Sequence, residues 1–348
     1  MEAKPANTPE REAFYRDIGA QNLAPLWEVL RNLLTMAPKT AAVPHIWHYG
    51  DVRPHLLRAG ELITAHEAER RVLVLENPGM KGESRITEML YAGLQLILPG
   101  EVAPAHRHTA SALRLIIEGE GAYTAVNGEK APMAPGDLVL TPSWAWHDHG
   151  HEGKNPMVWL DGLDIPLIRF TGAMFAEGYG EEQFPTNRPA GHSNNRYGAN
   201  MRPVGARHDK PYSPLFCYPY QATRDALLGL AAGEDPDPKR GYAMEYINPA
   251  TGGPVMPTIS AFMTYLPKGL ATRVRRTTEG QVYSVVEGEG RVVIGEGSDR
   301  KTLEFGPRDH FVVPIWAPHH FEAGSDCFLF SFTDGGVQRA LGIYRDAE

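Results

Sequence analysis

Cysteine is nearly missing from this chain, with Cys217 and Cys327 the two examples in 348 residues. Two thiols so far apart cannot build a disulfide framework, and neither stands in CxxC spacing, so both are expected as buried thiols. Long apolar runs are missing too. No stretch approaches the ~18–20 residues of a membrane span. The opening MEAKPANTPEREAFYR lacks the apolar core of a signal peptide. The chain is therefore expected in a reducing, cytoplasmic compartment, with no membrane partner. An excess of cations is also absent: 34 Lys and Arg against 42 Asp and Glu leave a net charge of −8. That balance argues against a nucleic-acid partner, which needs clustered Lys and Arg, but leaves room for a local basic pocket that takes a small anion.

Helical patterning is scarce. Residues 10–36 alone carry it over any length, with Phe14, Ile18, Leu26, Val29, Leu30, Leu33 and Leu34 near helical spacing. Pro25 should divide the segment into two helices, because it breaks the first and suits the start of the second. Beyond residue 45, short β-branched and aliphatic runs such as Arg71–Leu75 and Leu94–Leu98 alternate with turn residues, in a chain of 36 Gly and 29 Pro. Asn127-Gly128 after AYTAV signals a hairpin, since a type I′ turn needs positive φ at both central residues.

The chain also repeats itself. Glu-Gly-Glu-Gly stands at 118–121 and 287–290, each time after an apolar strand. Downstream, Pro142-Ser-Trp144-Ala145-Trp146-His147 is echoed by Pro314-Ile-Trp316-Ala317-Pro318-His319, at a separation only three residues longer. Gly100 and Gly269 precede the two signposts at equal distance. Two ordered signposts at near-equal separation predict a duplicated β unit, roughly 80–170 and 255–345. The stretch between, rich in Pro, Gly, Asn and Tyr, reads as a long irregular connector, too aromatic to be disordered.

Five of the 14 histidines fall between 106 and 151. His106 and His108 stand at i, i+2, so on a strand both imidazoles leave one face. His147 follows one hairpin-and-return later, the distance that brings it opposite the pair in a small barrel. Three imidazoles inside one barrel hold a divalent first-row metal well. An HxH pair alone is as readily a surface feature; the third histidine, at a matching position of a duplicated unit, points to metal.

Gly100-x5-His106-x-His108, then Pro135-Gly136-Asp137 and His147, resemble the two signature blocks of the cupin superfamily. One departure is informative. Cupins usually place a metal-binding Glu three or four residues after the second His, where this chain has Thr-Ala-Ser-Ala-Leu at 109–113, and Glu118 comes too late. The missing carboxylate, with PAHRHTASALR and the doubled layout, is similar to gentisate 1,2-dioxygenases and their salicylate and 1-hydroxy-2-naphthoate dioxygenase relatives. The resemblance runs through nearly the whole chain, including AERRVLVLENP at 68–78. It implies an all-β fold with N-terminal helices: an arm at 1–45, a catalytic cupin (double-stranded β-helix, jelly-roll) barrel at 46–170, a connector at 171–254 and a second cupin barrel at 255–348. It also implies a homotetramer and one Fe(II) per chain, held by His106, His108 and His147. Aligned on the Glu-Gly-Glu-Gly signpost, the second copy has Arg275 and Thr277 for His106 and His108, and keeps only His319. One histidine cannot hold the metal, so the second barrel should be metal-free and structural.

The resemblance implies cleavage of a small aromatic ortho-hydroxy acid by O2, gentisate giving maleylpyruvate, with salicylate or 1-hydroxy-2-naphthoate as the alternative substrate. Three neutral imidazoles leave the metal its full charge, which a chelating hydroxy-carboxylate cancels. The carboxylate needs a further cation. Arg114 lies six residues past His108 and, on a continuing strand, shares its face; Arg70 matches a family arginine by position. Arginine suits the task because its planar fork grips a carboxylate with two hydrogen bonds. His149, at i+2 from His147, is a candidate inward donor or proton shuttle. Asp161 could orient a histidine or take the substrate hydroxyl proton, or could simply open a turn before Gly162. Tyr91 should meet the substrate ring, with Gly93 leaving space beside it. His151 reads as supporting or exposed, and Trp144, Trp146 and Trp159 as barrel packing. Two other functions fit the same histidines: a three-His Zn(II) or Ni(II) cupin doing hydrolysis or isomerisation, and a binding or storage bicupin.

Overall fold

Asn127 and Gly128 have φ of 48° and 83°, and they turn the strand Ala122–Val126 back onto Glu129–Pro132 with Val126 opposite Glu129. This is the hairpin that the dipeptide announces. The structure, a computed structural model, describes residues 8–347. Residues up to Lys39 form one compact unit and those from Thr40 onward another.

In the first unit, helix Pro9–Ala20 opens on the Thr8 side chain, which accepts from the Arg11 amide. A second helix, Leu26–Leu33, follows with Pro25 at its N-cap. Neither helix buries a residue.

In the second unit all the named strand pairs are antiparallel, and they make two jelly-roll barrels. The first joins a six-stranded sheet, ordered Cys217–Tyr218, Leu138–Thr141, Ala112–Glu118, Met157–Leu163, Tyr91–Ile97 and Val72–Val74, to a five-stranded one. The latter runs Ala176–Gly178, Val102–His108, His147–His151, Ala122–Val126 and Glu129–Pro132. The second barrel pairs a six-stranded sheet (His45–Trp47, His310–Val313, Gln281–Glu287, Cys327–Thr333, Ser260–Leu266, Tyr242–Glu245) with the three strands Lys301–Phe305, Gly290–Ile294 and His319–Ala323.

The two six-stranded sheets share one apolar cluster, in which Leu94, Leu113, Leu115 and Leu160 meet Met263, Phe330 and Phe332. Strands packed on both faces read as continuous apolar runs rather than alternating ones, which explains Ala112–Glu118, buried at every position. Gly162 sits at this seam, where a Cβ would stand 2.8 Å from the Phe332 ring.

Three expectations change. The connector is not irregular: Ala176–Gly178 and Cys217–Tyr218 extend the first barrel, Tyr242–Glu245 extends the second, and Tyr220–Gly233 is a 14-residue helix. The segment expected to open the first barrel starts elsewhere, since His45–Trp47 pairs with His310–Val313 of the second. Helical structure also extends past residue 45, at Tyr49–Leu62. That helix buries only Tyr49 and Leu56 and carries an internal Pro54, and Tyr220–Gly233 buries only Leu227. With so few inward positions, neither leaves a clear 3.6-residue apolar period.

Candidate metal centre

His106 and His147 are direct cross-strand partners in the five-stranded sheet, and His108 lies two residues along on the same face. One ring nitrogen from each of His106, His108 and His147 falls within 4.8 Å of the others. Each Nδ1 points at a backbone carbonyl two residues away: His106 to Pro104 at 3.2 Å, His108 to Ala110 at 2.8 Å and His147 to Ala145 at 2.9 Å. A carbonyl can only accept, so this contact favours the Nδ1–H tautomer and leaves the Nε2 lone pair for a ligand. His147 Nε2 is buried and has no hydrogen-bond partner. An orphaned buried nitrogen is costly unless something absent fills its valence, and a divalent metal fits all three.

The imidazoles are held neutral, as ligands must be. Burial first, then the Arg70 guanidinium, pushes His106 down to about 3. Burial pushes His108 down to about 4 and His147 well below its usual range.

Arg114 reaches this interior by a route other than the expected one. The strand Val102–His108 ends, the chain turns through residues 109–111, and Arg114 sits on Ala112–Glu118 of the opposite sheet. The parity argument assumed a continuing strand and was wrong on that point, though the side chain does face inward. Arg114 is not a bare cation either. Its Nη1 donates to Thr141 Oγ1, and its Nε lies 3.2 Å from Asp161 Oδ1. The ion pair is poorly aligned, so the buried Nε–H keeps no hydrogen-bond acceptor. Asp161 pairs with Gly93 on one side and Arg114 on the other, and its Oδ1 also accepts from Trp159 Nε1 at 3.1 Å. Burial raises its carboxyl to about 6 despite the opposing pull of Arg114.

Arg70 donates from Nη2 to the Pro104 carbonyl at 2.6 Å and lies against His106 Nδ1. Burial, followed by the charge of Arg114, lowers its guanidinium to about 10. His106 Nδ1 cannot accept from Arg70 while donating to Pro104. Only the donating form frees Nε2, so holding a metal and accepting from Arg70 exclude each other.

His149 is fully buried, its ring 5.9 Å from that of His147. Its Nδ1 lies 2.9 Å from Thr124 Oγ1 and its Nε2 has no partner. Tyr91 is partly buried on the strand that carries Gly93. The room expected beside Gly93 is taken: a Cβ there would stand 2.5 Å from Val72 Cγ1 and 2.8 Å from the Tyr91 hydroxyl. His151 is buried and occupied with its own turn, contacting the Asn155 carbonyl through Nε2 and the Gly153 amide through Nδ1. Trp159 does more than pack, because it holds Asp161. Sequence reasoning missed Thr124 and Thr141; an inward threonine leaves no mark that distinguishes it from a strand former.

The second barrel supplies an internal control. Arg275 bridges His319 as His106 pairs with His147. His319 turns its Nδ1 to the Ala317 carbonyl at 3.1 Å, and its buried Nε2 is likewise unpartnered. Thr277 stands two residues after Arg275, where His108 would be, and its hydroxyl accepts from Gln281 Nε2 at 2.9 Å.

Three histidines converging inside one of two jelly-roll barrels define a metal-binding bicupin, and residues 93–163 match the cupin domain family. The chain is 50% identical over 344 residues to gentisate 1,2-dioxygenase 1 of Aquipseudomonas alcaligenes, covering 99% of this chain and 98% of the relative. It is 37% identical to a 5-aminosalicylate 1,2-dioxygenase of Comamonas sp, over 99% and 92% of the two chains. The crystal structure of salicylate 1,2-dioxygenase from Pseudoaminobacter salicylatoxidans, as its adduct with gentisate, superposes with a TM-score of 0.92 at 35% identity, covering 99% of this chain and 96% of that one. This chain belongs to the gentisate 1,2-dioxygenase family of ring-cleaving dioxygenases.

Proposed function

We propose that the protein is an Fe(II)-dependent dioxygenase that opens the ring of gentisate, with O2 as co-substrate and maleylpyruvate as product. One observation carries the reading: the three metal-facing imidazoles share a buried interior with Arg114, whose Nε–H is unsatisfied. His106, His108 and His147 would hold the iron, which when bound would supply Lewis-acid and redox chemistry toward an ortho-hydroxy acid and dioxygen.

The chain's own residues bind and orient the acid. Arg114 Nε offers a donor to the substrate carboxylate in a dry site, where a charged hydrogen bond is strong. Arg70, displaced from His106 once that imidazole is a ligand, turns its fork to the same anion. Asp161 Oδ1 accepts from Trp159 Nε1, so Oδ2 is the oxygen that receives the substrate's hydroxyl proton. A carboxyl near 6 is poised for that transfer at neutral pH. His149, anchored by Thr124, keeps Nε2 free to pass a proton. Tyr91 flanks the ring.

The exposed apolar side chains of Leu26, Trp27, Leu33 and Leu34 support packing of the N-terminal helices on neighbouring subunits of a homotetramer. Deleting residues 1–40 should then lower the mass in light scattering. The test of the activity is anaerobic Fe(II) reconstitution, followed by oxygen uptake with gentisate, salicylate and 1-hydroxy-2-naphthoate in parallel. Uptake with gentisate at least as fast as with the others is expected. Silence with all three, in protein carrying one iron per chain, would remove the reading in favour of a binding bicupin.

A further inference from the structure

The second barrel has lost its metal ligands but not its cavity. A space of about 310 Å³ opens among Arg275, Gln281, Tyr283, Phe321 and Ser331. These positions correspond to the catalytic interior of the first barrel. Arg275 replaces His106, Tyr283 replaces Arg114, and Phe321 stands two residues after His319 as His149 does after His147. Ser331 faces Tyr283 as Asp161 faces Arg114. The interior has been refitted rather than filled.

We propose that this cavity is a second, non-catalytic binding site for a one-ring aromatic carboxylate. Charge is the first argument. Lys239, Arg240, Arg275 and Arg339 line it against the carboxylates of Glu245 and Glu279. Arg240 is met by Asp346 at 2.6 Å and Arg339 by Glu245 at 3.5 Å, which leaves Arg275 with the weakest carboxylate contact of the three guanidinium groups. Geometry is the second. Arg275 is buried, and its nearest carboxylate, Glu279, is 3.7 Å away, so the pair is loose. Its hydrogen bond to Gln281 Oε1 at 3.1 Å engages only Nη2. Guanidinium groups held this way suit a planar carboxylate. Shape is the third. Phe262, Phe321 and Tyr283 supply aromatic walls that receive a ring edge-on or stacked, while the volume sits at the small end of ligand pockets, enough for one ring. The Ser331 and Thr264 hydroxyls line the same space and meet ring substituents.

The site does not depend on the activity proposed for the first barrel, and one experiment separates them. Equilibrium dialysis of the full-length, iron-loaded protein under anaerobic conditions counts gentisate bound per chain. Two equivalents are expected. Arg275→Met should weaken one of them at least ~30-fold, the loss typical of a charged hydrogen-bond partner, and leave turnover unchanged. Ser331→Phe, which fills the cavity without altering charge, should do the same and stands in should the first variant fold poorly. One equivalent in the wild type, abolished by Arg114→Met and untouched by Arg275→Met and Ser331→Phe, overturns the proposal. One equivalent lost in the Arg275 and Ser331 variants but kept in the Arg114 variant would instead uphold this site and overturn the reading of the first barrel.

Discussion

The two barrels share a backbone and differ in what they point inward. Glycines 119 and 288 have φ of 94° and 87°, Gly100 and Gly269 have 81° and 84°, and Trp144 and Trp316 are both left-handed at 62° and 59°. Where the first barrel turns on Gly136 at φ 87°, the second turns on Arg308 at 71°, so the turn survives even the loss of glycine. The histidine after the Trp-Ala motif keeps its Nδ1-to-carbonyl contact in both copies. What separates a metal centre from its counterpart is therefore a few side chains. Backbone turns serve folding in both copies, whereas the three converging histidines stand in the first copy alone among the described residues. Where the first copy carries Arg114 and His149, the second carries Tyr283 and Phe321, which pack with Phe305 and Phe311.

The comparison breaks most visibly through the ligands. His106→Ala, His108→Ala or His147→Ala should drop metal from about one per chain to near none. Turnover should fall by about three orders of magnitude or more, the equivalent of ~4 kcal/mol. His319→Ala should keep both. Metal analysis with oxygen uptake checks this, and metal lost from the His319 variant would place the centre in the wrong barrel.

Arg114 comes next. Arg114→Met should lower catalytic efficiency on gentisate roughly 30- to 1000-fold. Arg114→Lys should recover little of it. Because Asp161 is buried 3.2 Å from Arg114 Nε, the methionine variant should also melt lower, by about 2 kcal/mol of stability. Adding Asp161→Asn should restore the melt and not the activity. A methionine variant with normal turnover would shift carboxylate recognition to Arg70.

Rebuilding sharpens the comparison from the other side. His319 already presents an unpartnered Nε2, so Arg275→His with Thr277→His should bring the Co(II) bound to about two per chain, without raising turnover. A count that stays at one would mean that the matching turns do not carry matching ligand geometry.

The smallest effect is in pH. Burial lowers His310 to about 4 and His319 to about 3, from 6.5. The unfolded chain takes up these protons first. The contribution of each histidine is therefore whole above about pH 6.5 and declines as pH falls toward its folded value, by up to ~1.4 kcal/mol per pH unit for each. Denaturant midpoints between pH 7 and 4.5 should fall in the wild type and fall less steeply in His319→Phe.

Sequence alone determined the duplication, the hairpin at Asn127-Gly128, the three histidines that converge and the replacement of two of them in the second copy. Each depends on residue identity at fixed spacing within a strand or turn, where period two and positive φ act locally. It also suggested Arg70, Arg114, His149 and Asp161, but not what they touch. That Arg114 arrives from the opposite sheet, that Asp161 is its counter-ion, that Thr124 and Thr141 anchor the site and that Tyr91 closes over Gly93 all depend on which strands face each other across the barrel. The same holds for His45–Trp47, which leaves its sequence neighbours to pair with the second barrel. Strand order and the packing of the two large sheets are set by long-range contacts that no local period encodes, and only the tertiary structure decided them.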